Sequence, residues 1–314
     1  MNNSEIYDEI KKMSKYACEK MNEFSSRILK TRGGRIGSGM GALLEALWGY
    51  MMNQILLKRP DLDCEIAWFP DNQYNDFSCI KKDISWNETT REGEYFRIEV
   101  KSMNIGADES KAHFAALEKE IQCNDALLIL VWEWRKIDSF RYSPIVIDSF
   151  FDRASGVAKL RDELHIARGG TFVNAGHCPD CCATIPCTHV GEPLNASGKR
   201  ERLSGPESTR VSRTVSYAAN FGGLVRMLKT DNAYARSVFR KIRRENDVAD
   251  HYISFIHNNF PNEEKNHYTL AELKKAAAEL GITDCAMNKN ALYSRISSIQ
   301  GYQRILRGII SSDE

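Results

Sequence analysis

Long hydrophobic runs, internal repeats and low-complexity tracts are all missing from this chain of 314 residues. No stretch approaches the ~20 consecutive apolar residues of a membrane-spanning helix. The N-terminal segment is too highly charged for a secretory signal. These absences predict a cytoplasmic protein without a membrane partner, long enough for about two or three compact domains.

A strong excess of charge of one sign is also lacking, since the formal net charge is +1. The average hides a segregation along the chain. Residues 195–245 contain twelve Lys or Arg and four Asp or Glu, a net +8 that leaves −7 for the remainder. A basic segment inside a mildly acidic chain is typical of a polyanion-binding protein, and the alternative is an ordinary solvated surface.

Cysteine is unevenly placed, because four of the nine cysteines fall between positions 178 and 187. Clustering of this kind in a cytoplasmic chain favours metal chelation over disulfides. Two cysteines at C-x₂-C spacing, followed by Cys-x-His, predict a closed structural zinc site without an open position for chemistry. The predicted ligands are Cys178, Cys181, Cys187 and His189, with His177 or Cys182 as substitutes. The alternative is a reduced, exposed thiol loop.

Hydrophobic periodicity predicts an α/β protein. We expect helices at residues 4–29, 40–57, 110–122, 215–228 and 232–245, and strands at 65–69, 77–81, 95–100, 126–132 and 144–148. Three strands, a helix and a further strand predict a mixed central sheet with a crossover, flanked by helices. The predicted domains are a core at 1–165, a zinc-binding and basic region at 166–257, and a helical unit at 258–314.

Three side chains suggest a metal-dependent phosphodiesterase. Asp76 opens one predicted strand, and Glu99 and Lys101 end the next, two residues apart and therefore on the same face. Two carboxylates can hold a divalent cation at a phosphate, and an ammonium group can steady the attacking water. The alternative is that Glu-x-Lys is only a surface charge pair.

This pattern resembles the PD-(D/E)xK nuclease superfamily, and type II restriction endonucleases in particular, over about residues 40–135. The resemblance implies a restriction-endonuclease-like sheet, with Asp76 and Glu99 binding Mg²⁺ and Lys101 orienting the water. Glu45, the lone acid of the second predicted helix, matches an additional glutamate found in many members. The resemblance further implies a bacterial homodimer that cuts double-stranded DNA and leaves 5′-phosphates.

The first acid has an alternative. The literal Pro-Asp dipeptide of the family is Pro70-Asp71. We prefer Asp76, because an apolar strand begins directly after it, whereas Asp71 opens a polar loop.

The basic segment and the C-terminal unit are the predicted DNA-binding parts. Arginines and lysines can neutralise phosphates and read guanine edges. The candidates are Lys199, Arg200, Arg202, Arg210, Arg213, Arg236 and Arg240. Residues 268–296 resemble the SAP module, a small helical DNA-binding unit, with Thr269 and Glu272 as a capping box and Gly281 as the stop. An ordinary helical hairpin is the alternative.

Two other functions are consistent with the same sequence features. One is a structure-specific DNA repair nuclease with the same core. The other is a zinc-containing DNA-binding regulator without catalysis, in which the acids are accidental.

Overall fold

A computed structural model describes residues 2–32, 39–69, 75–106, 114–174, 178–179, 187–200, 221, 232–261, 264–283 and 287–312. The α-helices within these ranges are α1 (Asn3–Ile28), α2 (Met40–Leu56), α3 (Ala154–Ala167), α4 (Asn232–Glu245), α5 (Asp247–Asn259), α6 (Leu270–Glu279), α7 (Lys289–Ser297) and α8 (Tyr302–Ser312). The strands are β1 (Glu65–Trp68), β2 (Phe77–Ile80), β3 (Glu94–Asn104), β4 (Ala126–Lys136), β5 (Tyr142–Arg153), β6 (Thr171–Phe172) and β7 (Pro193–Leu194).

The central sheet is mixed and has the order β1-β2-β3-β4-β5. Strands β1, β2 and β3 are mutually antiparallel, β3 and β4 are parallel, and β5 is antiparallel to β4. A parallel pair needs a crossover connection, and residues 105–125 supply it. The protein is therefore mixed α/β, as the order of strands in the sequence predicts.

Helices cover both faces of this sheet. Side chains along a strand alternate between its faces, so each strand contributes residues to the packing on both sides. In β3 and β4, residues such as Val100 and Leu128 belong to one hydrophobic cluster with α1 and α2. Their neighbours Met103 and Ile129 belong to a second cluster with α3, α4 and α5. Apolar residues at nearly every position of β4 thus reflect burial on both sides.

The C-terminal helices α6, α7 and α8 share a third hydrophobic cluster. The predicted capping box is confirmed, because Thr269 Oγ1 accepts from the Glu272 amide at 3.1 Å and the Glu272 carboxylate accepts from the Thr269 amide. Gly281, just after α6, has a φ of +72°, which favours glycine.

The helix expected at residues 110–122 is not found in the described part of that range, residues 114–122. Residues 114–117 are not helical, and a single 3₁₀ turn follows at Glu118–Glu120. The Phe114 and Ala116 carbonyls accept hydrogen bonds at 2.8 and 2.5 Å from Arg161, a fully buried residue of α3. Leu117 has an extended backbone (φ −75°, ψ 146°), which interrupts any α-helix there, and the hydrogen bonds from Arg161 stabilise the non-helical segment before it. Residues 107–113, and the helix expected at 215–228, lie outside the described residues.

Two further differences concern lengths and boundaries. Strands β3 and β5 are longer than predicted, so that Glu99 and Lys101 lie inside β3, and helices α3 and α5 were not anticipated. The predicted boundary between residues 165 and 166 falls within α3, and α4 and α5 pack in the second cluster with the sheet. The division into three domains stays a prediction. No described helix has the combination of length and apolar character that crossing a membrane requires.

Candidate functional site

Asp76 is fixed against the strand that carries Glu99. It directly precedes β2, whose first residue, Phe77, pairs with Ile98. The Asp76 amide donates to the Ile98 carbonyl at 3.2 Å, and its Oδ2 accepts from the Val100 amide at 2.7 Å. These two bonds lie on either side of Glu99 along β3. The structure therefore brings together the two acids that the sequence predicts as metal ligands.

Lys101 and Glu99 form an ion pair on one face of β3, between Nζ and Oε1. Their side chains are 24% and 7% exposed, so the pair is shielded from water. The second carboxylate oxygen of Glu99, Oε2, is buried and has no hydrogen-bond partner among the described residues. A buried carboxylate oxygen without a partner is costly, and a bound cation is one way to satisfy it.

Glu45 reaches this site from α2, where it is the only acidic residue. A Cβ added to Gly41, one turn earlier, would lie 2.5 Å from Ser102 Oγ and 3.9 Å from Glu45 Oε1. The absence of a side chain at Gly41 therefore allows α2 to approach β3 closely. Neither Gly41 nor Ser102 was singled out from the sequence, although Gly41 and Glu45 have the i, i+4 spacing that shares a helix face.

The charges of the four residues act on one another. Burial raises the pKa of Glu45 to about 7, and the charge of Asp76 adds to that rise. Burial also raises the pKa of Glu99 to about 7; Lys101 opposes this rise, and Asp76 and Glu45 add to it. These shifts require the acids to lie within electrostatic reach of one another.

The pKa values of Asp76 and Lys101 are shifted by the same surroundings. Burial raises the pKa of Asp76, while the Val100 amide and Lys101 oppose the rise. Burial works against the charged form of Lys101, but Glu99, Asp76 and Glu45 outweigh it and raise its pKa. Glu45 and Glu99, each with a pKa of about 7, together with Asp76, whose pKa is raised, form an acidic group that a divalent cation would stabilise.

A Cys/His cluster is the second candidate metal site. Within the described ranges, the cluster of Cys178, Cys187 and His189 is the one group of three or more acidic, Cys or His residues with all donor atoms within 4.8 Å of one another. Mg²⁺ is commonly bound by only one or two carboxylates, with water and phosphate as its other ligands. The alternative first acid, Asp71, lies outside the described residues.

The Cys/His cluster lies on a loop whose ends are tied together. Strands β6 and β7 pair with Thr171 opposite Leu194, and the Val173 amide donates to the Glu192 carbonyl at 2.8 Å. Cys178 Sγ lies 3.5 Å from His189 Nδ1, and Cys178 is buried. These three residues form a group able to bind a metal. The other predicted ligands, Cys181 and the substitutes His177 and Cys182, lie outside the described residues.

Two of the predicted DNA-binding arginines are used inside the protein. Arg200 is only 5% exposed and lies 3.4 Å from Glu192, so the expectation that it contacts DNA does not agree with its burial. Arg236 donates to Glu272 at 2.9 Å and to the His267 carbonyl at 2.8 Å, which ties α4 to the C-terminal unit. The sequence pattern could not separate these roles, because an arginine that binds phosphate also binds a carboxylate.

Of the other basic candidates, Lys199 and Arg240 are exposed. Arg202, Arg210 and Arg213 lie outside the described residues.

Neither a family model, nor a curated protein, nor a solved structure matches this chain.

Proposed function

We propose that this protein is a Mg²⁺-dependent DNA endonuclease with a restriction-endonuclease-like core. The observation that carries the proposal is the geometry around Glu99. The Asp76 carboxylate is bonded to the neighbouring amide of Val100, Lys101 contacts one oxygen of Glu99, and the other oxygen is buried without a described partner. Glu45 adds a third carboxylate from the helix that covers the strand.

The donor set fits Mg²⁺, a hard cation that prefers carboxylate oxygen. Asp76 and Glu99 would bind it, and Glu45 would attract it and hold its water. When bound, the ion supplies positive charge at the scissile phosphate and lowers the pKa of its water.

Lys101 would donate hydrogen bonds to the attacking water and orient it. That water adds to phosphorus while the bond to the 3′ oxygen breaks, which leaves a 5′-phosphate and a 3′-hydroxyl.

Within this class, we propose a type II restriction enzyme acting as a homodimer on double-stranded DNA. Two copies would bring one active site to each strand. The net charge of +8 over residues 195–245 supports a polyanionic substrate. Lys199 and Arg240 are exposed basic residues in that segment, and exposed charges of this kind bind phosphates.

We also propose that the Cys/His cluster binds Zn²⁺ in a structural role. In a tetrahedral zinc site, a thiolate sulfur and an imidazole nitrogen lie about 3.5 Å apart, as follows from bond lengths of about 2.3 and 2.0 Å. The separation of 3.5 Å between Cys178 Sγ and His189 Nδ1 agrees with this value. Cys187 supplies the third donor.

Digestion of a plasmid of known sequence tests the nuclease proposal. Purified protein with Mg²⁺ is expected to give discrete fragments with 5′-phosphate ends, and with Ca²⁺ to bind the DNA without cutting it. The Asp76→Asn protein, purified in parallel, controls for a contaminating nuclease.

The other outcomes discriminate between functions. A smear, or cleavage restricted to flaps and junctions, would overturn the restriction-enzyme proposal and favour a repair nuclease. Tight DNA binding without cleavage under any divalent ion would refute catalysis and leave a DNA-binding regulator.

A further inference from the structure

Lys119 holds the polypeptide on both sides of the metal-binding residue His189. Its Nζ donates to the Thr188 carbonyl at 3.3 Å and to the Val190 carbonyl at 2.5 Å. The lysine stem also runs past Gly191, where an added Cβ would lie 3.7 Å from Lys119 Cδ. One side chain from a distant part of the sequence therefore fixes the backbone that carries a metal ligand.

The segment around His189 is a turn that brings two of the donor residues together. The Val190 amide donates to the Cys187 carbonyl at 3.4 Å, and the Glu192 amide donates to the His189 carbonyl at 2.9 Å. The turn that Lys119 binds therefore also positions Cys187 and His189.

Lys119 is itself anchored to the core. It lies in the 3₁₀ turn at Glu118–Glu120, where the Glu120 carboxylate accepts from the Leu117 amide at 2.9 Å. Arg161 holds the preceding carbonyls of Phe114 and Ala116. This turn belongs to the connection between β3 and β4, and so begins from the strand that carries Glu99 and Lys101.

The charges are complementary as well. Two thiolates at Cys178 and Cys187 would leave a zinc site without net positive charge, and two carbonyl dipoles point at Lys119. An ammonium group that binds these carbonyls orients the ligand backbone without competing for the metal. Groups that hydrogen-bond a metal-ligating side chain directly commonly contribute roughly 10- to 100-fold to metal affinity. Lys119 acts on the backbone that carries the ligand, so its effect is expected at the low end of that range.

We propose that Lys119 is a positioning residue of the Cys178/Cys187/His189 metal site, and that bound zinc fastens residues 187–190 to the β3–β4 connection. This inference rests on the zinc proposal above and is independent of the nuclease proposal. The metal then stabilises two segments at once, its own loop and the turn at Glu118–Glu120.

The test measures zinc affinity by competition with a chromogenic chelator on the full chain. The wild-type protein is expected to bind one Zn²⁺, and Cys187→Ser and His189→Ala to bind it at least about 100-fold more weakly. Lys119→Met, which keeps the length of the side chain but removes its donors, should weaken binding by about tenfold, and Lys119→Arg should restore most of it. Lys12→Met and Cys123→Ser, at exposed positions that are not members of the cluster, are the matched controls.

Hydrogen exchange supplies the second readout. Zinc should slow amide exchange at residues 187–192 and at 117–121 in the wild type, but only at 187–192 in Lys119→Met. Equal zinc affinity of wild type and Lys119→Met, with the same protection at 117–121, would overturn the inference while leaving zinc binding intact. A wild-type protein that binds no zinc would overturn both, and plasmid cleavage would still report separately on the nuclease proposal.

Discussion

Two strands of the same sheet each carry an acid followed two residues later by a cation. In β3 the pair is Glu99 and Lys101, and in β4 it is Glu133 and Arg135. Both pairs form an ion pair within the strand, at 2.8 Å in the case of Arg135 Nη2 and Glu133 Oε1. The side chains of Glu99 and Lys101 are 7% and 24% exposed, whereas those of Glu133 and Arg135 are 34% and 55% exposed.

The tripeptide pattern alone therefore does not define a site. The β4 pair is open to water, which screens its charges and makes such pairs weak, about 0–1 kcal/mol. The β3 pair is buried beside Asp76 and Glu45, whose charges help to raise the pKa of Glu99. Burial and neighbouring acids, supplied by β2 and α2, are what distinguish the candidate site from a surface charge pair.

The largest expected effect is on DNA cleavage. Lys101→Ala and Asp76→Ala should each reduce cleavage by at least about 10³-fold, because a water-orienting donor or a metal ligand is lost. DNA binding in Ca²⁺ should stay largely intact, as measured by gel shift.

Arg135→Ala is the matched control, since it removes the equivalent cation from β4, and should leave cleavage unchanged. Normal cleavage by Lys101→Ala, or an equal loss of cleavage in Arg135→Ala, would contradict the functional distinction between the β3 and β4 pairs.

The next effect is on stability as a function of pH in the absence of metal. The folded-state pKa of Glu99 is about 7, raised from 4.5, so between these values the folded state binds more protons than the unfolded state. The contribution of Glu99 to the free energy of unfolding should therefore be greatest below about pH 4.5 and be lost as the pH rises through 7, a fall on the order of 3 kcal/mol. Urea denaturation at a series of pH values measures this.

Glu99→Gln removes the ionisation and should flatten the fall, whereas Glu133→Gln, at an exposed position, should keep the wild-type profile. A Glu99→Gln profile that superimposes on the wild type would argue against a buried, protonated Glu99. Adding Mg²⁺ at pH 7 should stabilise the wild type more than Glu99→Gln.

The smallest effect concerns the close approach of α2 to the β3 pair. Gly41→Ala places a Cβ 2.5 Å from Ser102 Oγ and should cost about 1–2 kcal/mol of stability through overpacking. It should also lower cleavage by about tenfold, because Glu45 is displaced with the helix. Thermal denaturation and plasmid cleavage measure the two effects.

The double variant Gly41→Ala/Ser102→Ala removes the obstructing oxygen and should recover most of the lost stability. Gly308→Ala is the control, because among the described residues, leaving aside its chain neighbours and its own helix backbone, no atom lies within 4 Å of a Cβ added there, and alanine should stabilise by about 0.5–1 kcal/mol. If Gly41→Ala is as harmless as Gly308→Ala, α2 does not approach β3 closely.

Local patterns in the sequence predicted the elements around the candidate site well. Helices α1 and α2 and strands β1 and β2 agree with the expected ranges to within about two residues, the ordinary uncertainty of such boundaries. The lone acid of α2 and the acid before β2 could both be recognised, because an acid next to an apolar run stands out. In the described part of the helix expected at 110–122, the backbone is instead extended at Leu117, and Arg161, from a helix that was not anticipated, binds the carbonyls of Phe114 and Ala116.

The sequence by itself determined the mixed α/β class, the candidate residues Asp76, Glu99 and Lys101, and the clustering of soft ligands near His189, since these depend on residue type and local spacing. Other contacts are visible only in the tertiary structure. The Asp76 carboxylate binds the Val100 amide, Arg200 and Arg236 pair with acids inside the protein, and Lys119 binds the turn around His189. These contacts join residues 24, 8, 36 and 69 positions apart. The difference has a physical reason: an ionic side chain takes any oppositely charged or polar partner that folding brings within reach, and its own sequence neighbours do not specify which one.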